Sequence, residues 1–99
     1  MKTYFVTGIG TGIGKTIVSA ILTEALKADY WKPIQAGELN NTDSKKVHSL
    51  VSNKLSVIHP EVYRLSRPMS PHAAAKIDKA KIDLNKIKKP KTPNTLIIE

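Results

Sequence analysis

The chain has 99 residues, enough for one domain but short for a parallel sheet covered by helices on both faces. It has no cysteine, which excludes disulfides and thiolate-held metals, and no apolar run of membrane-spanning length. Lys and Arg number 16 against 8 Asp and Glu, a net charge of +8. The lysines crowd between Lys76 and Lys91 with no aromatic residue among them to stack on bases, so a solvated basic face is preferred to a nucleic-acid site.

Met1-Lys2-Thr3 runs directly into an apolar stretch, so no signal peptide is expected and the chain reads as soluble and cytoplasmic. Lys2 to Thr7 predicts the first strand, with Tyr4-Phe5-Val6 as a buried run. Gly8-Ile9-Gly10-Thr11-Gly12-Ile13-Gly14-Lys15-Thr16 follows, and then the apolar run Ile17 to Leu26. Strand, glycine-rich turn and helix, with Lys-Thr at the helix start, is the layout of a phosphate-binding P-loop. Glycines let successive N–H groups face an anion, and the helix N-terminus adds partial positive charge. Lys15 would reach the β- and γ-phosphates and the Thr16 hydroxyl would sit on Mg²⁺. The common spacing puts the first glycine at position 9, which is Ile9 here; Gly8 opens the loop one residue earlier.

The helix is predicted from about Lys15 to Ala28, with apolar residues around most of its circumference, as suits burial beside a sheet. Tyr30-Trp31-Lys32-Pro33-Ile34 predicts a second strand, which Pro33 confines to its end. Gln35 to Asn41 reads as loop. Thr42 is the expected N-cap of a helix running through Val51, with Asp43 in its first turn. A connecting region holds His59-Pro60 and a short strand at Val62-Tyr63-Arg64-Leu65. Ser70 or Pro71 starts a helix over Ala73 to Ile77, and Asp83 caps a short one over Leu84 to Ile87. Pro90 and Pro93 lead to a last strand from Thr95 to Glu99, an apolar run ending in a carboxylate. In a parallel sheet that is where ligand loops begin, so the chain reads as the front part of a longer protein. The expected fold class is α/β, a P-loop NTPase-type parallel sheet with flanking helices. Residues 1–99 would form a single domain, incomplete on its C-terminal side.

Outside the loop, three residues sit where chemistry is expected. Lys32 stands at a strand end, where a lysine can neutralise phosphate oxygens or developing charge, although an ordinary surface lysine is the simpler reading. Asp43 reads equally as a helix-capping carboxylate. Glu99 ends an apolar strand, and together with Asp43 and Thr16 it could complete the one or two carboxylates that nucleotide-bound Mg²⁺ wants. His48, His59 and His72 show no metal-ligand spacing and read as surface or turn residues.

Five blocks then occur in order: Tyr4 to Gly8, the lengthened loop ending Gly14-Lys15-Thr16, Trp31 to Gly37, Thr42-Asp43-Ser44, and Pro68 to His72. With Leu96-Ile97-Ile98-Glu99 they resemble dethiobiotin synthetase, over roughly the first half of such an enzyme. The resemblance implies an ATP- and Mg²⁺-dependent ligase of biotin biosynthesis. It would act on 7,8-diaminopelargonate, CO₂ and ATP, work as a homodimer, and need neither nucleic acid nor membrane. Carried over by position, Gly12, Ile13, Gly14, Lys15, Thr16 and Ile17 cradle the triphosphate, with Asp43 and Glu99 also on the nucleotide side. Lys15 and Lys32 are catalytic; Thr16, Asp43 and Glu99 hold the metal. Thr11, Lys32 and Ala36 lie beside the substrate. Three positions depart from the family pattern: Gly10 replaces a usual Asp, Gly12 a Glu found in some members, and Ala36 a Ser or Thr whose hydroxyl meets the substrate. A partition or cell-division ATPase of the ParA/MinD kind shares the strand, loop and helix. It lacks the Lys32-Pro33 block and carries a lysine where Gly10 stands. A non-catalytic nucleotide-binding fragment is the third reading.

Overall fold

The computed structural model describes residues 2–8 and 13–99, with Ile13 described in its backbone only. Among the described residues ten elements follow one another: β1 (Thr3–Phe5), α1 (Ile13–Leu26), β2 (Asp29–Trp31), β3 (Ile34–Ala36), α2 (Asp43–Leu50), β4 (Ile58–His59), β5 (Tyr63–Leu65), α3 (Pro71–Ile77), a 3₁₀ turn (Leu84–Lys86) and β6 (Leu96–Ile98). Four strands form a wholly parallel sheet in the order β1-β6-β2-β4. β6, last in the chain, therefore lies between the first two strands of that sheet. Such a change of strand order opens a crevice beyond the carboxyl ends of the strands.

Register decides which side chains share a face. Tyr4, Ile97, Tyr30 and Ile58 stand in one row across the sheet. Ile97 and Tyr30, fully buried, pack with Ala20 of α1, Ala28 just after it and Val47 of α2. Trp31, Leu96 and Ile98 form a second cluster with Ile87. Each large side chain so buried contributes about 1.5–3 kcal/mol relative to exposure.

α1 reverses the expected burial. Its inward stripe is small and mostly polar: Thr16, Ser19, Ala20 and Thr23 are buried, while Ile17, Val18, Ile21 and Leu26 are exposed. The spacing of i, i+3, i+4 and i+7 is one helical face. Ser19 donates to the Lys15 carbonyl at 2.8 Å and Thr23 to the Ser19 carbonyl at 2.7 Å, so these buried hydroxyls are satisfied within the helix itself. β1 is corrected in the same sense. Phe5 is 73 % exposed and Tyr4 43 %, because β1 is the outer strand of this sheet.

The stretch read as loop from Gln35 holds a strand. Pro33 ends β2, as its missing N–H requires, but β3 then pairs in parallel with β5 in a separate two-stranded sheet. Gly37 closes β3 at φ +79°, and a Cβ there would stand 2.6 Å from the Pro68 nitrogen, so only glycine fits. α3 covers this small sheet, with Ala74 and Ala75 against Leu65 and the half-buried Ile34 and Ala36. The remaining caps follow the sequence. Thr42 accepts from the Lys45 amide, Pro71 opens α3, and Asp83 accepts from the Asn85 amide. No helix among the described residues is long and apolar enough to cross a membrane.

Candidate functional site at the carboxyl edge of the sheet

Alternation along β2 and β6 builds the site. Tyr30 faces α1, so Lys32, two residues on, leaves the strand on the same side; Ile97 and Glu99 repeat the relation on β6. The Glu99 amide donates to the Trp31 carbonyl at 3.1 Å, which prolongs the ladder to the edge of the sheet. The Glu99 side chain is 3 % exposed. Thr16, in the first turns of α1, donates to its Oε2 at 3.0 Å. Tyr30 donates to its Oε1 at 2.7 Å. Burial, then the bond to Glu99 and the nearby carboxylates of Glu99, Asp43 and Glu61, drives the Tyr30 phenol far above the usual tyrosine range.

Lys32 bridges the two acids, with Nζ 2.6 Å from Asp43 Oδ2 and 3.9 Å from Glu99 Oε2. Asp43 opens α2, where the helix dipole favours a carboxylate. Its amide donates to the Gln35 side chain at 3.2 Å, and that buried amide donates in turn to the Gly37 carbonyl at 3.0 Å. Gln35 thus ties the end of β3 to the start of α2. Lys46 stands 3.8 Å from the other Asp43 oxygen.

These groups open on a cleft of about 690 Å³ between the sheet edge and the small sheet. Lys15, Lys32, Lys46, Glu38, Asp43 and Glu99 supply its charge, and Ala36 with the Pro68-to-Pro71 turn supplies the facing wall. The size suits a drug-sized or nucleotide-sized ligand. A second cavity, of about 460 Å³ between α3 and residues 80–82, contains none of the predicted site residues.

Of those residues, Lys15, Thr16, Lys32, Asp43 and Glu99 come together here. Lys15 passes over Gly8, its Cδ 3.7 Å from where a Cβ would stand on that glycine. Ala36 lines the cleft without a hydroxyl. Gly14 is exposed on α1, and Ile17 is 37 % exposed on the same helix, outside the residues that line the cleft. Thr11, Gly12 and the Ile13 side chain lie outside the described residues, as does Gly10. Sequence reasoning missed Tyr30 and Gln35. The two-residue step from Tyr30 to Lys32 was a usable signal for the first; nothing in the pattern marks the buried role of the second. It also misread His59, which lies in β4 and bonds through Nε2 to the buried Asp29 at 2.8 Å.

Mg²⁺ fits the donors present. Oxygen ligands about 2.1 Å from an octahedral ion stand about 3.0 Å apart along an edge. Thr16 Oγ1 and Glu99 Oε2 are separated by 3.0 Å. Both are hard oxygen donors, and the adjoining cleft has room for phosphate oxygens and water. No group of three or more His, Cys, Asp or Glu side chains that could hold a metal occurs among the described residues. Two protein donors supplemented by phosphate is the usual arrangement for nucleotide-bound Mg²⁺.

A family model described as an AAA domain matches residues 2–99. An ATP-dependent dethiobiotin synthetase of Christiangramia forsetii is 62 % identical over 98 residues, which is 99 % of this chain and 47 % of the relative. The enzyme of that name from Chlamydia pneumoniae is 56 % identical over 99 residues, 100 % of this chain and 44 % of its own length. That of Agrobacterium fabrum is 44 % identical over 96 residues, 97 % of this chain and 45 % of its own. The chain thus spans about half the length of the curated relatives it matches. The resemblance read from Gly8 to Thr16, Trp31 to Gly37 and Leu96 to Glu99 is borne out along its whole length. The parallel sheet, the helix behind the loop and this match together make the chain a member of the AAA-domain family.

Proposed function

We propose that this chain is the nucleotide-binding N-terminal part, within one larger domain, of a cytoplasmic, homodimeric dethiobiotin synthetase. The observation that carries the reading is the convergence of Lys15, Lys32, Asp43 and Glu99 on one cleft at the carboxyl edge of the sheet, with the buried Thr16 bonded to Glu99 behind it. The names of the relatives support ATP-dependent dethiobiotin synthesis, and the substrates are those that the family resemblance implies.

In that reaction an amine of 7,8-diaminopelargonate attacks CO₂ and loses a proton, giving a carbamate. A carbamate oxygen then attacks the ATP γ-phosphorus and ADP leaves, giving a carbamic–phosphoric anhydride. The second amine attacks the anhydride carbon, loses a proton and expels phosphate, which closes the ureido ring. Phosphoryl transfer of this kind needs positioning and charge stabilisation rather than a protein nucleophile. The residues supply both. The N-terminus of α1 brings backbone N–H groups and partial positive charge to phosphate, and Lys15 places a cation beside it. Lys32, held between Asp43 and Glu99, sets a second cation where carbamate and phosphoryl charge would meet. Thr16 and Glu99, with Asp43 as a further carboxylate, would hold Mg²⁺. When bound, that ion neutralises charge on the phosphate oxygens. Ala36 can meet the substrate only through its methyl and backbone, so the hydroxyl contact of many family members is absent.

The test is to incubate the full-length protein with diaminopelargonate, ATP, Mg²⁺ and ¹³C-labelled bicarbonate. Dethiobiotin carrying the label in its ureido carbon, with matching ADP, is expected. ADP release without labelled product would overturn the reading in favour of a different P-loop ATPase.

A further inference from the structure

Glu99 presents its two oxygens to different surroundings. Oε1 takes the hydroxyl of Tyr30, a residue with no solvent exposure whose ring lies in the core cluster with Ile97, Ala28 and Val47. Oε2 faces the other way, towards the Thr16 hydroxyl at 3.0 Å and Lys32 at 3.9 Å. The phenol is fixed at both ends, by packing around the ring and by the bond at its tip. A carboxylate held through one oxygen by a packed, buried donor is fixed in orientation, with its other oxygen towards Thr16 and Lys32.

We propose that Tyr30 is the positioning residue of this site, holding Glu99 so that it ligates the nucleotide-bound divalent cation through Oε2 alone. This rests on the Mg²⁺-nucleotide reading given above and deepens it by naming a source of cation selectivity. Mg²⁺ requires near-ideal octahedral geometry and accepts one oxygen per carboxylate, whereas Ca²⁺ takes six to eight oxygens and readily binds a carboxylate through both. A Glu99 turned by Tyr30 so that Oε2 leads suits the smaller ion and disfavours the bidentate contact of the larger one. Groups that orient a metal ligand from behind typically change metal affinity by 10–100-fold when removed.

The experiment uses the full-length protein loaded with ADP, with Mn²⁺ binding read from the electron paramagnetic resonance of the free ion, and with Mg²⁺ and Ca²⁺ as competitors. Tyr30→Phe keeps the ring and its packing. It is expected to weaken Mn²⁺ binding about tenfold and to narrow the preference for Mg²⁺ over Ca²⁺. A purely structural tyrosine would lower the melting temperature and leave that preference untouched. Mn²⁺ affinity within about twofold of wild type and an unchanged ion preference would overturn the proposal. Glu99→Gln separates the two levels. If it abolishes Mn²⁺ binding while Tyr30→Phe does nothing, the positioning role fails and the metal site stands. If it too changes nothing, the metal reading of Glu99 fails, and this proposal with it. Should Tyr30→Phe not fold, the wild-type protein still decides. Ca²⁺ must displace Mn²⁺ at least about tenfold less well than Mg²⁺ does, and equal displacement overturns the proposal.

Discussion

Two carboxylates sit at opposite ends of the same pair of strands and show what makes a buried acid structural or chemical. Asp29 opens β2 and is 1 % exposed; Glu99 follows β6 with a side chain 3 % exposed. Burial alone does not separate them. Every oxygen of Asp29 meets a fixed donor: the Val57 amide at 3.0 Å and the Asn94 amide group at 3.0 Å on Oδ1, and His59 at 2.8 Å on Oδ2. Burial pushes its pKa up, but hydrogen bonds from Thr92, Asn94, His59 and Val57 outweigh that and hold the carboxyl below its usual value. Glu99 has one oxygen anchored by Tyr30 and the other turned to a hydroxyl, a lysine and a cleft. An acid bonded on both oxygens away from any cleft closes a structure. Glu99 also takes a hydroxyl on each oxygen, but it lines a crevice beside Lys32 and so is available to a ligand.

The contrast can be broken most decisively at the cleft. In the full-length protein, Lys32→Ala and Lys15→Ala are each expected to cut turnover by about 10²–10³-fold, the scale of one lost preorganised charge contact, with the circular dichroism unchanged. Steady-state rates close to wild type would remove these lysines from the chemistry.

At the other end of the strands, Asp29→Ala should leave turnover per folded molecule unaltered. It strands the Val57 amide, Asn94 and His59 without their acceptor, and is expected to cost about 3 kcal/mol in urea denaturation. A loss of activity without a loss of stability would erase the distinction drawn between the two acids.

The smallest effect is in acid. A carboxyl whose folded pKa lies below its unfolded value contributes stability that is complete above the unfolded pKa and disappears as pH falls through the folded one. The wild-type melting temperature is therefore expected to fall as pH drops below about 3.8, Asp29's ordinary value. Asp29→Asn should fall less steeply over that range. Parallel curves would show that Asp29 carries none of the acid sensitivity.

Local signals were legible where the physics is local. Thr42, Pro71 and Asp83 mark their caps because side-chain and ring geometry act within one turn. Glycine spacing and Lys-Thr placed the candidate site, and Lys32 and Glu99 fell at strand ends as expected. Burial was read less well. The apolar side chains of Ile17, Val18, Ile21 and Phe5 suggested an interior, yet the buried face of α1 carries the small hydroxyls of Ser19 and Thr23 instead. Hydroxyls bonded back to their own helix need no partner from the sheet, and that economy is invisible to a count of apolar residues. Pro33 was read correctly as ending a strand; the strand beyond it depends on β5, roughly thirty residues away, and no local pattern announces such a pairing.

The sequence by itself determined the phosphate-loop pattern from Gly8 to Thr16, the strand-end positions of Lys32 and Glu99, and the family. These are properties of residue type and short spacing. Only the tertiary structure decided that β6 inserts between β1 and β2, and this brings Glu99 within reach of Thr16 and Tyr30, 83 and 69 residues earlier in the chain. Parallel pairing joins segments far apart in sequence through backbone hydrogen bonds that carry little side-chain signature. Which oxygen of Glu99 is anchored and which is offered is therefore a property of the folded sheet.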